Sequence, residues 1–306
     1  MTKNKKRSQK VIYGLVEVKP KMNKKKIIIT VIIAVLIVVA IGIALFYYIR
    51  KNNAILKEQN TTPQEQVVLS QKTNVEKQKH VVKVNFLPIY SQEAQNRLSN
   101  IYHSGEKTVY LTFDDGPSRT VTPLILDLLK QENIKATFFV LGARVELNPS
   151  IVRREYEEGH FIANHGYSHI YSNIYSSIDA VLEEYNKTNS AIQTAIGLEY
   201  NGHLFRFPGG STGGKYHALK KEAKQALQDN QIGCIDWNAL SNDAAGAKTK
   251  EALLENVKKT VGDKQTVVIL MHDAGDKILT YEVLPEIIAY LREKGYAFKN
   301  FYNIMK

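Results

Sequence analysis

From Lys107 onward the sequence alternates short β-rich runs with helical patterns, and this alternation limits the fold more than any other feature. The β-rich runs are Thr108–Phe113, Ala136–Leu141, Phe161–Asn164, Leu204–Phe207, Ile232–Asp236, Thr266–Met271 and Ala297–Tyr302. Between them, apolar residues recur at helical spacing. Leu124, Ile125, Leu128 and Leu129 share one face, as do Leu253, Leu254, Val257 and Val261. Val283, Leu284, Ile287, Ile288 and Leu291 form a third such face. Asn148-Pro149 reads as a helix start, with a capping residue followed by proline at the first helical position. Seven strands alternating with helices predict a parallel β/α arrangement, either a closed or nearly closed barrel or an open doubly wound sheet. In both, functional side chains collect at the C-terminal ends of the strands.

Five polar clusters occupy those ends. The first is Thr112-Phe113-Asp114-Asp115-Gly116-Pro117. Adjacent side chains on extended backbone point in opposite directions, so its two carboxylates can take different tasks; a plain Asp-Gly-Pro turn is the structural alternative. The second, Asn164 to His169, carries His165 and His169 at i, i+4. Two such imidazoles can converge on one metal if the segment is helical or tightly turned. With Asp115 they make three ligands, the number that leaves an open coordination position for catalysis. A polar surface loop is the alternative. The third cluster is Phe205-Arg206-Phe207-Pro208-Gly209-Gly210-Ser211, where glycine lets a backbone N–H approach a ligand closely. The fourth is Ile235-Asp236-Trp237 and the fifth Leu270-Met271-His272-Asp273. Gly209 to Lys215 nearly matches a phosphate-binding loop, but Tyr216 stands where Ser or Thr should hold Mg²⁺, so no nucleotide is expected.

The formal net charge of +11 suggests nucleic acid until it is located. Residues 1–26 hold ten basic side chains and one acid, a net of +9, leaving +2 for the rest of the chain. The body therefore offers no footprint for DNA or RNA. Residues 27–49 form 23 uncharged residues, about 35 Å long as a helix, enough to cross a bilayer core. Phe46, Tyr47, Tyr48 and Arg50 follow as an interface anchor rather than a cleavage site. The basic tail predicts a cytoplasmic N-terminus, so the C-terminal part is expected to lie outside the cytosol. Residues 50–106, rich in Asn, Gln, Lys and Thr, read as an extracytoplasmic tether, with a more apolar stretch from about Phe86 to Tyr102 suited to packing on the following domain. The expected organisation is a basic tail (1–26), a transmembrane helix (27–49), a tether (50–106) and a catalytic domain (107–306). The single cysteine, Cys234, excludes an internal disulfide framework and any multi-cysteine zinc site, and its apolar neighbours suit a buried structural thiol.

In this order the five clusters resemble the polysaccharide deacetylase family (carbohydrate esterase family 4, the NodB homology domain). Thr112–Pro117 is similar to its first motif, His165-x-x-x-His169 to the second, and Arg206-x-Pro208-x-Gly210 to the third. Asp236-Trp237 resembles the fourth and Leu270-x-His272 the fifth. The resemblance covers roughly residues 106–302. It departs at Gly166, where the family usually has Ser or Thr, and at Gly209, where many relatives have a bulkier residue.

The resemblance implies a distorted (β/α)7 barrel in which Asp115, His165 and His169 bind Zn²⁺ or another divalent ion such as Co²⁺. It implies that Asp114 is the general base, oriented by Arg206, and that the Gly209 N–H stabilises the oxyanion. It further implies that His272 protonates the leaving amine, that Asp236 holds His272, and that Trp237 and Leu270 wall a pocket for the acetyl methyl. The implied reaction is removal of N-acetyl groups from a cell-envelope glycan, foremost N-acetylglucosamine of peptidoglycan. N-acetylmuramic acid, poly-N-acetylglucosamine, chitin oligomers and O-acetylated xylan are family alternatives, and a tethered glycan-binding module with a decayed site is a reading from another class.

Overall fold

The computed structural model describes residues 87–305. The basic tail, the expected transmembrane helix and most of the expected tether lie outside the described residues. Within those described, no helix is long and apolar enough to cross a membrane.

In chain order the elements are α1 (Gln92–Ser99), a 3₁₀ turn (Ile101–His103), β1 (Thr108–Asp114), α2 (Thr122–Gln131), β2 (Thr137–Val140), α3 (Gly142–Leu147) and α4 (Pro149–Glu157). They continue with β3 (Phe161–Asn164), α5 (Tyr171–Ile174), α6 (Ile178–Ile196), β4 (Leu204–Phe205), α7 (His217–Asp229), β5 (Gly233–Cys234) and β6 (Ala239–Leu240). The last are α8 (Lys250–Val261), β7 (Thr266–His272), α9 (Ile278–Glu293), β8 (Ala297–Lys299) and a 3₁₀ turn (Phe301–Asn303).

The described strands form one parallel sheet in the order β5-β4-β3-β2-β1-β7-β6. β1 is its centre. β7 pairs with it over its whole length, from Thr108↔Thr266 to Asp114↔His272. Two other strands divide the rest: β8 pairs with Thr108–Tyr110 and β2 with Thr112–Asp114. The terminal strands β5 and β6 do not pair with each other, so the sheet curls as a half-barrel and is not closed by hydrogen bonds. Eight strands replace the seven expected. The added one, Ala239–Leu240, has only two residues, too few to show a period of two.

Every residue of β1 is buried, and alternate residues serve different layers. Val109, Leu111 and Phe113 join Ile125 and Leu129 of α2, Val257 of α8 and Leu284, Ile287 and Ile288 of α9 in the main core. Tyr110 faces the other way, toward Phe139, Phe161, Val268 and Phe301. Thr112 and Asp114 share that parity, which carries Asp114 to the concave mouth of the sheet. The N-terminal end of the concave side is filled by Ala94 and Leu98 of α1, by Ile101, and by Phe301, Ile304 and Met305. α1 and Ile101 lie in the stretch from about Phe86 to Tyr102 that the sequence marks as suited to packing on the following domain, and they are part of its core. Asn148 precedes α4 as expected, but its side chain makes no capping bond and instead donates to the Pro117 carbonyl at 3.1 Å, bracing the turn after β1. Burial pushes the Cys234 thiol up to about 12, in keeping with a structural role.

Candidate active site

The mouth of the half-barrel holds a cavity of about 300 Å³. Asp114, Asp115, His165, His169, Tyr171, Gly209, Trp237, Leu240, Asp243, Leu270 and His272 line it. Nine of the ten residues singled out from the sequence lie in or directly behind this cavity; the tenth, Asp236, stands beside it with a different partner.

Asp114 ends β1 and Asp115 begins the turn with φ +71°, a left-handed conformation uncommon for residues other than glycine. Asp115 Oδ1 is 3.5 Å from His165 Nε2 and 3.3 Å from His169 Nε2. The two histidines are not on a helix. A tight loop brings them together, with φ +82° at Gly166 and +56° at His169. A β-carbon at residue 166 would lie 2.9 Å from Ile174 Cδ1, so glycine suits both the backbone and the space there. Glu184 of α6 braces the loop, accepting from the N–H groups of Tyr167 (2.7 Å) and Ser168 (2.9 Å) and from Ser168 Oγ (2.5 Å).

These donors suit a divalent cation. One ligand atom from each of Asp115, His165 and His169 lies within 4.8 Å of the others. Asp115 Oδ1 is buried with no hydrogen-bond partner among the described residues, a costly state that a cation would relieve. His165 has the right protonation. Its Nδ1 lies 2.8 Å from the Arg206 carbonyl, which can only accept, so Nδ1 carries the proton and the Nε2 lone pair faces Asp115. Burial pushes this imidazole down to about 3, and Asp115 only partly offsets it, so the ring is neutral at physiological pH.

Arg206 lies fully buried behind Asp114 and donates to Asp114 Oδ1 (2.7 Å), Thr112 Oγ1 (2.8 Å) and the carbonyls of Ile235 and Asp236 (both 3.2 Å). Its guanidinium also stacks 3.8 Å from the Phe139 ring centre. The expected Asp114–Arg206 pair is thus present. Burial pushes the Asp114 carboxyl upward, with Arg206 as the main opposing influence. These are the attributes of a base held in place and poised to take a proton.

The partner of His272 is not Asp236. His272 Nδ1 is 2.8 Å from Asp243 Oδ1, and the His272 N–H donates to Asp243 Oδ2 at 2.7 Å. Thr280 Oγ1 adds a bond to Oδ2 at 2.7 Å. Burial would lower the His272 pKa, but the Asp243 hydrogen bond and charge outweigh it and raise it to about 9. Asp236 turns toward Ser211, accepting from its N–H at 2.9 Å and its Oγ at 2.6 Å. The cause is position: Asp236 follows β5 at the sheet edge, whereas Asp243 follows β6, which pairs with β7 and so lies beside His272. The β1–β7 register sets His272 directly opposite Asp114. Opposite partners on parallel strands project to the same side, so base and acid candidates share the cavity.

Comparison with known proteins agrees with this geometry. A family model described as polysaccharide deacetylase matches residues 102–228. The Bacillus subtilis protein YheN is 36% identical over 198 residues, covering 63% of this chain and 67% of that one. The peptidoglycan-N-acetylglucosamine deacetylase PgdA of Listeria monocytogenes is 34% identical over 192 residues, covering 63% of this chain but only 37% of that protein's length. The solved structure of a Streptococcus mutans CE4 esterase superposes with a TM-score of 0.61 at 31% identity, covering 70% of this chain and 92% of that one.

Proposed function

Since this chain belongs to the polysaccharide deacetylase family, we propose that it hydrolyses N-acetyl groups on a cell-envelope glycan, foremost the N-acetylglucosamine of peptidoglycan. The observation that carries this is the convergence in one cavity of a three-donor cation site, an Arg-oriented carboxylate and an Asp-held histidine. Asp115, His165 and His169 would hold a divalent ion, which would supply Lewis acidity toward an amide carbonyl and toward water.

The protein's own groups do the rest. Asp114, fixed by Arg206, takes the proton of the attacking water. His272, protonated at neutral pH because its pKa is about 9, delivers a proton to the departing nitrogen, which is too basic to leave as an anion. One water is consumed, and the products are acetate and a free amine. Trp237, Leu240 and Leu270 supply apolar wall for the acetyl methyl. In our reading residues 27–49 anchor the chain with this domain outside the cytosol, where such glycans lie.

The test is acetate release from N-acetylated peptidoglycan fragments by the full-length protein supplied with Zn²⁺ or Co²⁺. Mass spectrometry should show a loss of about 42 Da per site, acetyl replaced by hydrogen, located on glucosamine. The same mass loss on muramic acid would change the substrate. Binding without release by metal-loaded protein would identify a glycan-binding module instead.

A further inference from the structure

The turn after Arg206 carries a buried cation that the proposed reaction does not use. Phe207 to Gly210 form a tight turn closed by Gly210 N–H to the Phe207 carbonyl at 2.7 Å, with proline second and Gly209 third at φ +72°. That is the sequence and backbone pattern of a type II turn, whose third position favours glycine. Such a turn leaves its central peptide, Pro208–Gly209, without turn-internal partners. The Pro208 carbonyl finds two: Tyr175 Oη at 2.7 Å and Lys220 Nζ at 3.3 Å. Lys220 also donates to the Gly210 carbonyl at 2.7 Å. Its side chain comes from the first turn of α7, and the residue is only 4% exposed. The ammonium lies 4.7 Å from the Tyr175 ring centre and within ion-pair distance of no described carboxylate. Gly209 N–H has no acceptor among the described residues, and Gly209 lines the cavity.

From this geometry we infer that Lys220, assisted by Tyr175, is a positioning residue that aims and polarises the Gly209 N–H as the oxyanion donor. This rests on the deacetylase reading above. A trans peptide holds its C=O and N–H in opposite directions, so pinning the Pro208 oxygen toward Lys220 and Tyr175 turns the Gly209 N–H away from them, toward the cavity. A cation on the carbonyl also draws electron density from the amide, and hydrogen bonds in such a chain strengthen one another. The N–H is thereby fixed before negative charge develops on the acetyl oxygen, the condition for effective oxyanion stabilisation. Asp236 closes the other end of the turn through Ser211, so the motif aspartate that does not hold His272 serves this same loop.

The experiment compares wild type, Lys220→Met, Lys220→Arg and Tyr175→Phe in the full-length protein on an N-acetylated glucosamine oligomer. Lys220→Met should lower kcat by roughly 10–100-fold with KM changed less than about threefold, because the donor is engaged fully only as charge develops. Lys220→Arg, which can still donate to both carbonyls, should recover part of that loss. On the N-thioacetyl analogue, whose sulfur accepts hydrogen bonds weakly, the deficit should shrink; a general loosening of the loop would slow both substrates alike. Tyr175→Phe should lower kcat by a smaller factor, with the same dependence on the analogue. It decides the matter if Lys220→Met does not fold. Unchanged kcat in the folded variants, or equal deficits on both substrates, overturns the inference. A wild type that releases no acetate overturns the deacetylase reading instead.

Discussion

Asp236 and Asp243 follow short strands, consecutive in the chain but at opposite ends of the sheet, and their partners separate their tasks. Asp243→Asn should remove the charge that raises His272, leaving burial to lower it. The basic limb of the rate profile, near pH 9 in the wild type, should then move to lower pH, with kcat down by roughly 10–100-fold. Asp236→Asn should leave that limb in place; a shift would restore Asp236 as the partner of His272. His169→Ala should weaken cation binding, read by calorimetric titration of Co²⁺ into apo protein, while unchanged affinity would remove it from the ligand set. The three candidate ligands were legible in the sequence because each sits in a motif at the end of a recognisable strand. Asp243 was not, because β6 ahead of it is two residues long and gives no periodic signal. Glu184 and Lys220 lie within helices, where a charged residue reads as solvated surface. Only the three-dimensional arrangement turns them toward the loops they hold.

Among the elements, α1 lies in the stretch that the sequence marks as suited to packing on the following domain, though its own residues give little sign of a helix face. Its composition is polar, with Gln92, Glu93, Gln95, Asn96 and Arg97, and only Ala94 and Leu98 are buried. Those two suffice because the surface beneath is prepared: a β-carbon at Gly233 of β5 would lie 2.5 Å from Leu98 Cδ2. The helix seals the N-terminal end of the concave core. Leu98→Ala should therefore destabilise the domain by about 2–5 kcal/mol in denaturant unfolding. A change below about 0.5 kcal/mol would mean that α1 is an appendage. The helices α2, α8 and α9 were legible from their apolar stripes. The half-barrel edge was not, because the end strands β5 and β6 are only two residues each, and closure depends on whether they meet.

For the whole molecule, buried acids shape the response to pH. Glu155 is fully buried, both carboxylate oxygens lack partners among the described residues, and burial followed by the charge of Asp273 pushes its pKa well above 4.5. The folded state therefore retains a proton that the unfolded chain releases near pH 4.5, and this contribution to stability declines as pH rises toward the folded value. Glu155→Gln should raise Tm at pH 8 relative to wild type, by roughly 2–4 °C for each kcal/mol regained, and flatten the dependence of Tm on pH. An unchanged slope would remove Glu155 as its source.

The division of one flank of β1 between β2 and β8 reaches beyond the finished molecule. During synthesis β1 emerges before all its partners; β2 follows soon after, but half of that flank waits for Ala297–Lys299, far downstream in the chain, and the opposite flank waits for Thr266–His272. Until those two segments have been made, the central strand has only β2 beside it, so the sheet cannot lock shut strand by strand and its central pairings are among the late ones to form.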